Sequence, residues 1–327
     1  MKKDEIIVLL DSLADLEPHY FDETNIWLFD KAIPLESLQI VRQNAKHWLA
    51  LDGGESLKSL SSIANLSEKI LALRHSRPLR LIALGGGALG DAIGFLASIL
   101  WRGVGLIHIP TTLLAMIDSS IGGKTAINLA SQKNQLGSFY RAQEIIYVKA
   151  IIEGLPEHLK REGRAEMVKS AWLDSKESLI EIAKLGPTSS VDAWSSAITR
   201  VAAFKKRIVA QDPFDDKDIR IQLNFGHSVA HGIERLLELS HGESVAWGLL
   251  CAALIGKNHG LSADHSALLF DHASRIIRPH SGILHLEPTR FVRALEGDKK
   301  RKNGQFRSVI LTSPGHFHIR EDISEMD

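Results

Sequence analysis

Apolar positions along the 327-residue chain follow two regimes. Up to about residue 150, short continuous apolar runs alternate with glycine-rich or polar turns. Residues 81–84 flow into Gly85, Gly86 and Gly87, then Gly90 and Asp91, then a small-residue-rich segment ending near Trp101. That order reads as strand, glycine turn, helix. Residues 104–109 form a second strand-like run, and NIWLFDKAI contains another that ends at Asp30. Residues 36–49 have helical spacing. Buried runs interleaved with helical patterns predict an α/β unit. Beyond Pro156 strand-like runs thin out, and REGRAEMVKSAWL, KKRIVAQD and HSVAHGIERLLEL all carry helical periodicity. A late exception is RSVILT, a short strand after a lysine-rich turn. The pattern therefore divides the chain into an α/β domain, 1–157, and a mainly α-helical domain, 158–327.

Composition narrows the class. Hydrophobic residues make up 44% and charged residues 24%, as in ordinary soluble globular chains. Lys+Arg and Asp+Glu both number 39, so formal net charge is zero and nothing favours nucleic acid or an anionic membrane. Attraction for an anionic ligand has to be local. The one cysteine, Cys251, rules out an intrachain disulfide and fits a reducing compartment; no stretch reads as a secretory signal or a membrane span. The expected location is the cytoplasm.

Candidate chemistry gathers where polar residues follow buried runs. A glycine turn that opens a helix presents backbone N–H groups and the positive end of a helix dipole, which suits a phosphate. Gly85-x-Gly87-x-x-Gly90 matches the dinucleotide fingerprint, but the acid expected about 20 residues later is missing, because the next strand ends in His108-Ile109-Pro110. Further on, DSSIGGKTAIN packs a carboxylate, hydroxyls, glycines and Lys124 together, and Lys133 with Asn134 follows at a spacing of a helical turn or two. Such amines suit an anionic group, or equally a solvated basic face. Glu166 and Lys169 are three apart on one helical face, as in an intrahelical salt bridge. His227 and His231 are four apart, with His241 after a loop. Histidines plus a carboxylate suit a borderline divalent metal, and spacing alone selects His227 with His231 as the pair.

GGGALGD, Trp101-Arg102-Gly103, PTTLLAMIDSSIGGKTAIN, Lys133-Asn134, REGRAEMVKS, LNFGHSVAHGIE, HGESVAWG and GDKK together resemble the 3-dehydroquinate synthase family, the sugar-phosphate cyclases, in that family's order over roughly residues 50–312. The resemblance implies an α/β NAD-binding domain followed by an all-α metal-binding domain, with the active site in a cleft between them. It also implies conversion of 3-deoxy-arabino-heptulosonate 7-phosphate to 3-dehydroquinate and phosphate, using NAD and a divalent metal, zinc with cobalt as an option, in a homodimer. Related products (inosose, valiolone or amino-dehydroquinate type), or a polyol or glycerol-phosphate dehydrogenase reaction on the same architecture, stand as alternatives.

Residue by residue, the resemblance implies that Gly86, Gly87 and Gly90 hold the NAD pyrophosphate, with Asp91, Thr111 and Thr112 also on the cofactor. Asp30 falls near the adenosine, Glu55 and Lys58 match an acid-x-x-Lys cofactor segment, Lys124 serves substrate and cofactor, and Lys133 serves the nicotinamide side. Glu166, His227 and His241 match the metal ligands, which leaves His231 for the reacting end of the substrate. Asp118 and Asn134 match groups on substrate hydroxyls; Lys169, Arg220 and Asn224 match groups on its carboxylate, phosphate or hydroxyls. Arg102 matches an arginine that reaches the neighbouring subunit's substrate phosphate. A helix lysine is Lys205, or Lys206 when counted from Arg220, because DPFDDKD holds one extra residue. The lid lysine is Lys300 or Lys299. Four positions depart from the family pattern: Ala32, Leu129, Gln132 and Gly154.

Overall fold

The computed structural model describes residues 5–73, 78–130, 132–296 and 307–320. Lys299 and Lys300 lie outside the described residues. Contacts divide the chain into two compact units, Met1–Pro156 with Ser190–Ser195, and Glu157–Ser189 with Ser196–Asp327.

The first unit runs β1 (Ile6–Leu10), β2 (Asn25–Asp30), α1 (Gln39–Asn44), β3 (His47–Leu51), α2 (Leu60–Ala72), β4 (Arg80–Gly85), α3 (Gly87–Ile99), β5 (Gly105–Pro110), β6 (Lys124–Leu129), β7 (Gln132–Phe139), β8 (Glu144–Val148) and α4 (Lys149–Glu153). Six strands form an all-parallel sheet in the order β1-β8-β5-β4-β2-β3. Trp27 and Phe29, Ile82 and Leu84, Ile107 and Ile109, and Ile146 and Val148 occur at a period of two. They pack on one face against Leu13, Leu16, Tyr20, Leu38 and Val41. Both faces of β2 and β4 are buried, which is why their sequences read as unbroken apolar runs.

Two expectations are corrected here. Helical spacing over 36–49 yields only the six-residue α1, and β3 begins at His47. Trp48 of that strand lies with its ring centroid 5.6 Å from that of Phe29 on β2, so cross-strand aromatic packing overrides the local periodicity. Lys124 and Lys133 are not separated by helical turns. They lie on the antiparallel β6/β7 hairpin, because Gly122 (φ 94) and Gly123 (φ 68) turn the chain and an alternating strand pattern follows. The edge strand β1 is an addition, drawn from a stretch that carried no clear signal.

The second unit is mainly helical: α5 (Glu157–Asp174), α6 (Lys176–Ala183), α7 (Val191–Gln211), α8 (His227–Leu237), α9 (His241–Asn258), α10 (Ala263–Ser274), α11 (Ser281–Leu284) and α12 (Pro288–Glu296), then the hairpin β9 (Ser308–Ser313) and β10 (His316–Arg320). Among the described residues, no helix is long and apolar enough to cross a membrane.

Candidate active site

The sheet order locates the nucleotide-side groups. From β2 the chain moves outward to β3, then returns across β2 to β4 and proceeds the other way to β5. The crevice at the carboxyl ends of β2 and β4 is therefore the topological switch point, where open α/β sheets take their ligands. Asp30 ends β2, and Gly85, Gly86 and Gly87 end β4 and open α3 beside it. The acid at the end of the neighbouring strand is Asp30, which precedes the glycine turn in sequence because the strand it ends was laid down first.

The N-terminus of the 13-residue α3 has no side-chain cap, so its leading N–H groups are offered to an anion. A Cβ at Gly86 would approach Thr112 Cγ2 to 3.2 Å, which shows how close the Pro110-Thr111-Thr112 step lies to the turn. Thr111 N–H donates to the Gly85 carbonyl at 2.9 Å, and Thr112 Oγ1 accepts from Ala115 N–H at 3.2 Å. Asp30 Oδ1 accepts from the Ala32 N–H at 2.9 Å, so at this departure from the family pattern only the backbone contributes.

Beside that turn, Lys58 Nζ is buried and donates to Asp91 Oδ2 and to Asn134 Oδ1, both at 2.6 Å. Asn134 N–H donates to Asn128 Oδ1 at 2.9 Å, and Asn128 Nδ2 donates to Glu55 Oε2 at 2.8 Å. The segment Glu55–Leu57, helix α3 and the β6/β7 hairpin are thereby tied by one polar network. Burial pushes the Asp91 carboxyl up while the Lys58 ammonium opposes it. Asn128 was missed by sequence reasoning, since a lone asparagine within TAIN carries no signal of its own. Asp118 sits in the short turn Ala115–Ser119, near enough to raise Asp91 electrostatically. Lys124 and Lys133 are exposed on the hairpin. Trp101 (φ 48) and Arg102 (φ 65) hold left-handed backbone, and Arg102 is exposed.

In the second unit, Glu166 is buried in the middle of α5, whereas His227 and His241 are the first residues of α8 and α9. Glu166 Oε1 lies 3.1 Å from both His227 Nε2 and His241 Nε2, and one ligand atom from each residue falls within 4.8 Å of the others. Two close approaches create this geometry. Gly242 lies so near α5 that a Cβ would meet the Glu162 carbonyl oxygen at 2.3 Å, and Gly226 adopts φ +74 to start α8 against α9. His227 Nδ1 faces the Phe225 carbonyl at 3.2 Å and His241 Nδ1 faces Glu234 Oε2 at 3.4 Å, so both rings turn Nε2 inward. Glu234 is a further residue that sequence reasoning missed; the close approach that places it beside His241 is not written in spacing.

His231 is not part of the convergent group. Its ring stands edge-on to that of His227 at 5.7 Å, so the pair suggested by spacing is not the trio assembled by folding. Burial opposes ionisation of Glu166, but Lys169, whose Nζ is 2.5 Å from Oε2, and the two histidines hold its carboxyl well below the usual range. Burial likewise opposes charge on His241, yet Glu166 and Glu234 push its pKa up to about 10. A carboxylate and two inward imidazole nitrogens are a donor set that fits a divalent metal with open positions. Lys169 Nζ also donates to the Leu223 carbonyl at 2.7 Å, which ties α5 to the turn Arg220–Asn224. Lys205 is buried on α7, whereas Lys206 beside it is half-buried.

A parallel sheet with a glycine turn at its switch point, in a chain that also builds a carboxylate–histidine–histidine centre on helices, defines a class of nucleotide-using metalloenzymes. Solved structures share the fold. 2-Epi-5-epi-valiolone synthase from Streptomyces hygroscopicus subsp. jinggangensis 5008, with NAD+ and Zn2+ bound, superposes with a TM-score of 0.85 at 22% identity, over 100% of this chain and 95% of that one. A 2-deoxy-scyllo-inosose synthase complexed with carbaglucose-6-phosphate, NAD+ and Co2+ gives 0.82 at 24% identity, over 95% and 90%. A probable glycerol dehydrogenase from Sinorhizobium meliloti 1021 gives 0.58 at 16%, over 95% and 92%.

Sequence comparison is more specific. Residues 48–162 match the 3-dehydroquinate synthase N-terminal family and residues 163–301 the 3-dehydroquinate synthase C-terminal family. The 3-dehydroquinate synthase of Legionella pneumophila (strain Paris) is 37% identical over 286 residues, 84% of this chain and 76% of that protein. That of Dehalococcoides mccartyi (strain CBDB1) is 35% identical over 285 residues, 86% and 79%. The chain belongs to the 3-dehydroquinate synthase family, and it is an enzyme.

Proposed function

We propose that the chain converts 3-deoxy-arabino-heptulosonate 7-phosphate to 3-dehydroquinate and phosphate. The observation that carries this reading is the convergence of Glu166, His227 and His241 in a chain 37% identical to a 3-dehydroquinate synthase. Glu166, His227 and His241 would hold a divalent metal, which would supply Lewis acidity, and the first unit would hold NAD, which would supply reversible hydride acceptance. Zinc suits the nitrogen and oxygen donors, and cobalt is accommodated by the same set.

The chain's own groups bind and orient. Gly86, Gly87 and Gly90 let the main chain approach the pyrophosphate at the uncapped α3 terminus. Asp30 takes the adenosine ribose, while Glu55, Lys58, Asp91, Thr111, Thr112 and Lys133 line the cofactor. Lys169, Lys205, Arg220 and Asn224 grip the substrate carboxylate, phosphate and hydroxyls. Lys124, Asp118 and Asn134 contact substrate from the β6/β7 side, and His231 hydrogen-bonds its reacting end. Lys300 or Lys299 adds a cation to the phosphate. Exposed Arg102, on its left-handed turn, reaches the substrate phosphate of a second subunit in a homodimer. Oxidation at the reacting carbon acidifies the neighbouring C–H; phosphate then leaves by β-elimination with its own oxygen taking the proton, the ketone is reduced, and ring opening and an internal aldol closure follow. Holding and polarising are the protein's contribution. The enzyme works in the cytoplasm, consistent with its single, half-buried Cys251.

Stoichiometry tests this reading. One phosphate is expected per substrate consumed, at NAD far below substrate and with no lasting rise in NADH absorbance. Steady NADH accumulation without phosphate would instead place the chain among the dehydrogenases.

A further inference from the structure

The loop 212–219 that follows α7 is built around one carboxylate. Asp212 is fully buried, and each of its oxygens accepts two backbone N–H groups. Oδ1 takes those of Asp216 at 3.0 Å and Lys217 at 3.2 Å; Oδ2 takes those of Ile219 at 3.1 Å and Arg220 at 3.2 Å. Burial opposes ionisation of this group, but the four N–H donors hold its pKa below the usual range. An ionised carboxylate is acceptor-only, which is what four converging donors require.

The loop needs such a centre. Asp215 (φ 55) and Asp218 (φ 60) are non-glycine residues in left-handed backbone, a conformation that persists only where surrounding bonds determine it. Arg307 Nη1 adds an ion pair to Asp218 at 2.8 Å from the approach to β9. The last of the four donors is the N–H of Arg220 itself, which opens the turn Arg220–Asn224. Asp212 stands seven residues after Lys205, directly beyond the end of α7, the helix that carries that lysine. One carboxylate therefore links the helix bearing one proposed anion-binding cation to the backbone of the other.

We propose that Asp212 is a positioning residue for the reaction, setting the place of the Arg220 guanidinium toward the substrate's anionic group through the four backbone bonds. This inference rests on the reading of Arg220 as a substrate-binding group. The extra residue in DPFDDKD is accommodated because Asp212 gathers the two N–H groups that follow Asp215 and the two that follow Asp218, so Arg220 keeps its station.

The test is a double-mutant cycle on the metal- and NAD-loaded enzyme, with KM and kcat measured on 3-deoxy-arabino-heptulosonate 7-phosphate. Asp212→Asn replaces two acceptor positions by donors facing N–H groups, and Asp212→Glu keeps the charge but misplaces it. Loss of a charged hydrogen bond is worth roughly tenfold or more, so Arg220→Ala should raise KM by at least about tenfold. Asp212→Asn should raise KM roughly three- to tenfold with kcat changed less than about twofold. In the Arg220→Ala background, Asp212→Asn should add no further rise, because the group it positions is gone. A merely structural Asp212 would lower the thermal midpoint and the active fraction, cutting kcat while leaving KM unchanged. That result overturns the proposal, as does multiplication of the two KM effects, or failure of both Asp212 variants to fold. An Arg220→Ala enzyme with unaltered KM and kcat would instead overturn the substrate-binding role of Arg220.

Discussion

The two polar sites of this chain are built on opposite plans. In the first unit the polar groups come from five separate segments, at Asp30, Glu55 with Lys58, Asp91, Asn128 and Asn134, and most of them hydrogen-bond one another. Lys58 and Asp91 satisfy each other's charge with side chains only 4% and 19% exposed. In the second unit three residues on three helices point at one place, and mutual stabilisation of opposite charges is the result: Glu166 is held ionised and His241 keeps its proton far above the ordinary range. The first plan is closed and self-compensated, a cradle whose polar groups are already paired. The second concentrates donors at one point, the condition for binding a cation.

The sharpest break of this comparison is His227→Ala. Removing one of three inward donors should abolish metal retention, measured by metal analysis, and reduce activity below about 1% of wild type, whereas His231→Ala should lose activity yet retain metal. The reverse pattern would show that the spacing pair, rather than the convergent trio, holds the ion.

In the first unit, Lys58→Met should leave the Asp91 carboxylate buried and uncompensated, at a cost of about 3–5 kcal/mol in denaturant unfolding together with weaker NAD binding. An unchanged midpoint would show that the network is not a compensated pair.

His108 separates the units by pH. It is buried on β5 under Gly90, and burial pushes its pKa down to about 4. The folded chain therefore binds fewer protons than the unfolded chain between pH 6.5 and 4. Stability is undiminished by this group above about 6.5 and falls as pH drops toward 4, by about 3 kcal/mol in total. His108→Leu should flatten that part of the stability profile; an unchanged slope would sink the assignment.

The smallest effect is expected from Glu234→Gln. Weakening the partner of His241 Nδ1 should lower metal affinity by roughly 10- to 100-fold in competition with a chelator, without altering NAD binding. A variant with wild-type metal affinity would remove Glu234 from the centre.

Much of this molecule was legible before folding. Runs such as residues 81–84 predicted strands because a strand buried on both faces has no polar positions to interrupt it. The glycine turn after β4 and the helical character beyond Pro156 were equally direct, since glycine spacing and a 3.6-residue period are local properties. Both corrected segments failed for a non-local reason. Trp48 belongs to a strand because Phe29 is beside it, and Lys124 belongs to a hairpin because two left-handed glycines precede it.

Chain order also concealed the switch point. The dinucleotide fingerprint looks downstream for its acid, but strand adjacency, rather than sequence distance, decides which carboxylate ends up beside the turn. Only the sheet order put Asp30 there.

By itself, then, the sequence determined the element types, the two regimes of the chain and the residue kinds available for chemistry, because these depend on periodicity and composition within a few turns of backbone. The tertiary structure alone decided the distances at which His227 and His241, two of the three histidines, converge on Glu166, that Asn128 bridges Glu55 to Asn134, and that Asp212 gathers the Arg220 loop. Each of those outcomes is a distance between atoms remote in sequence, set by close approaches such as Gly242 against α5, and no local pattern records it.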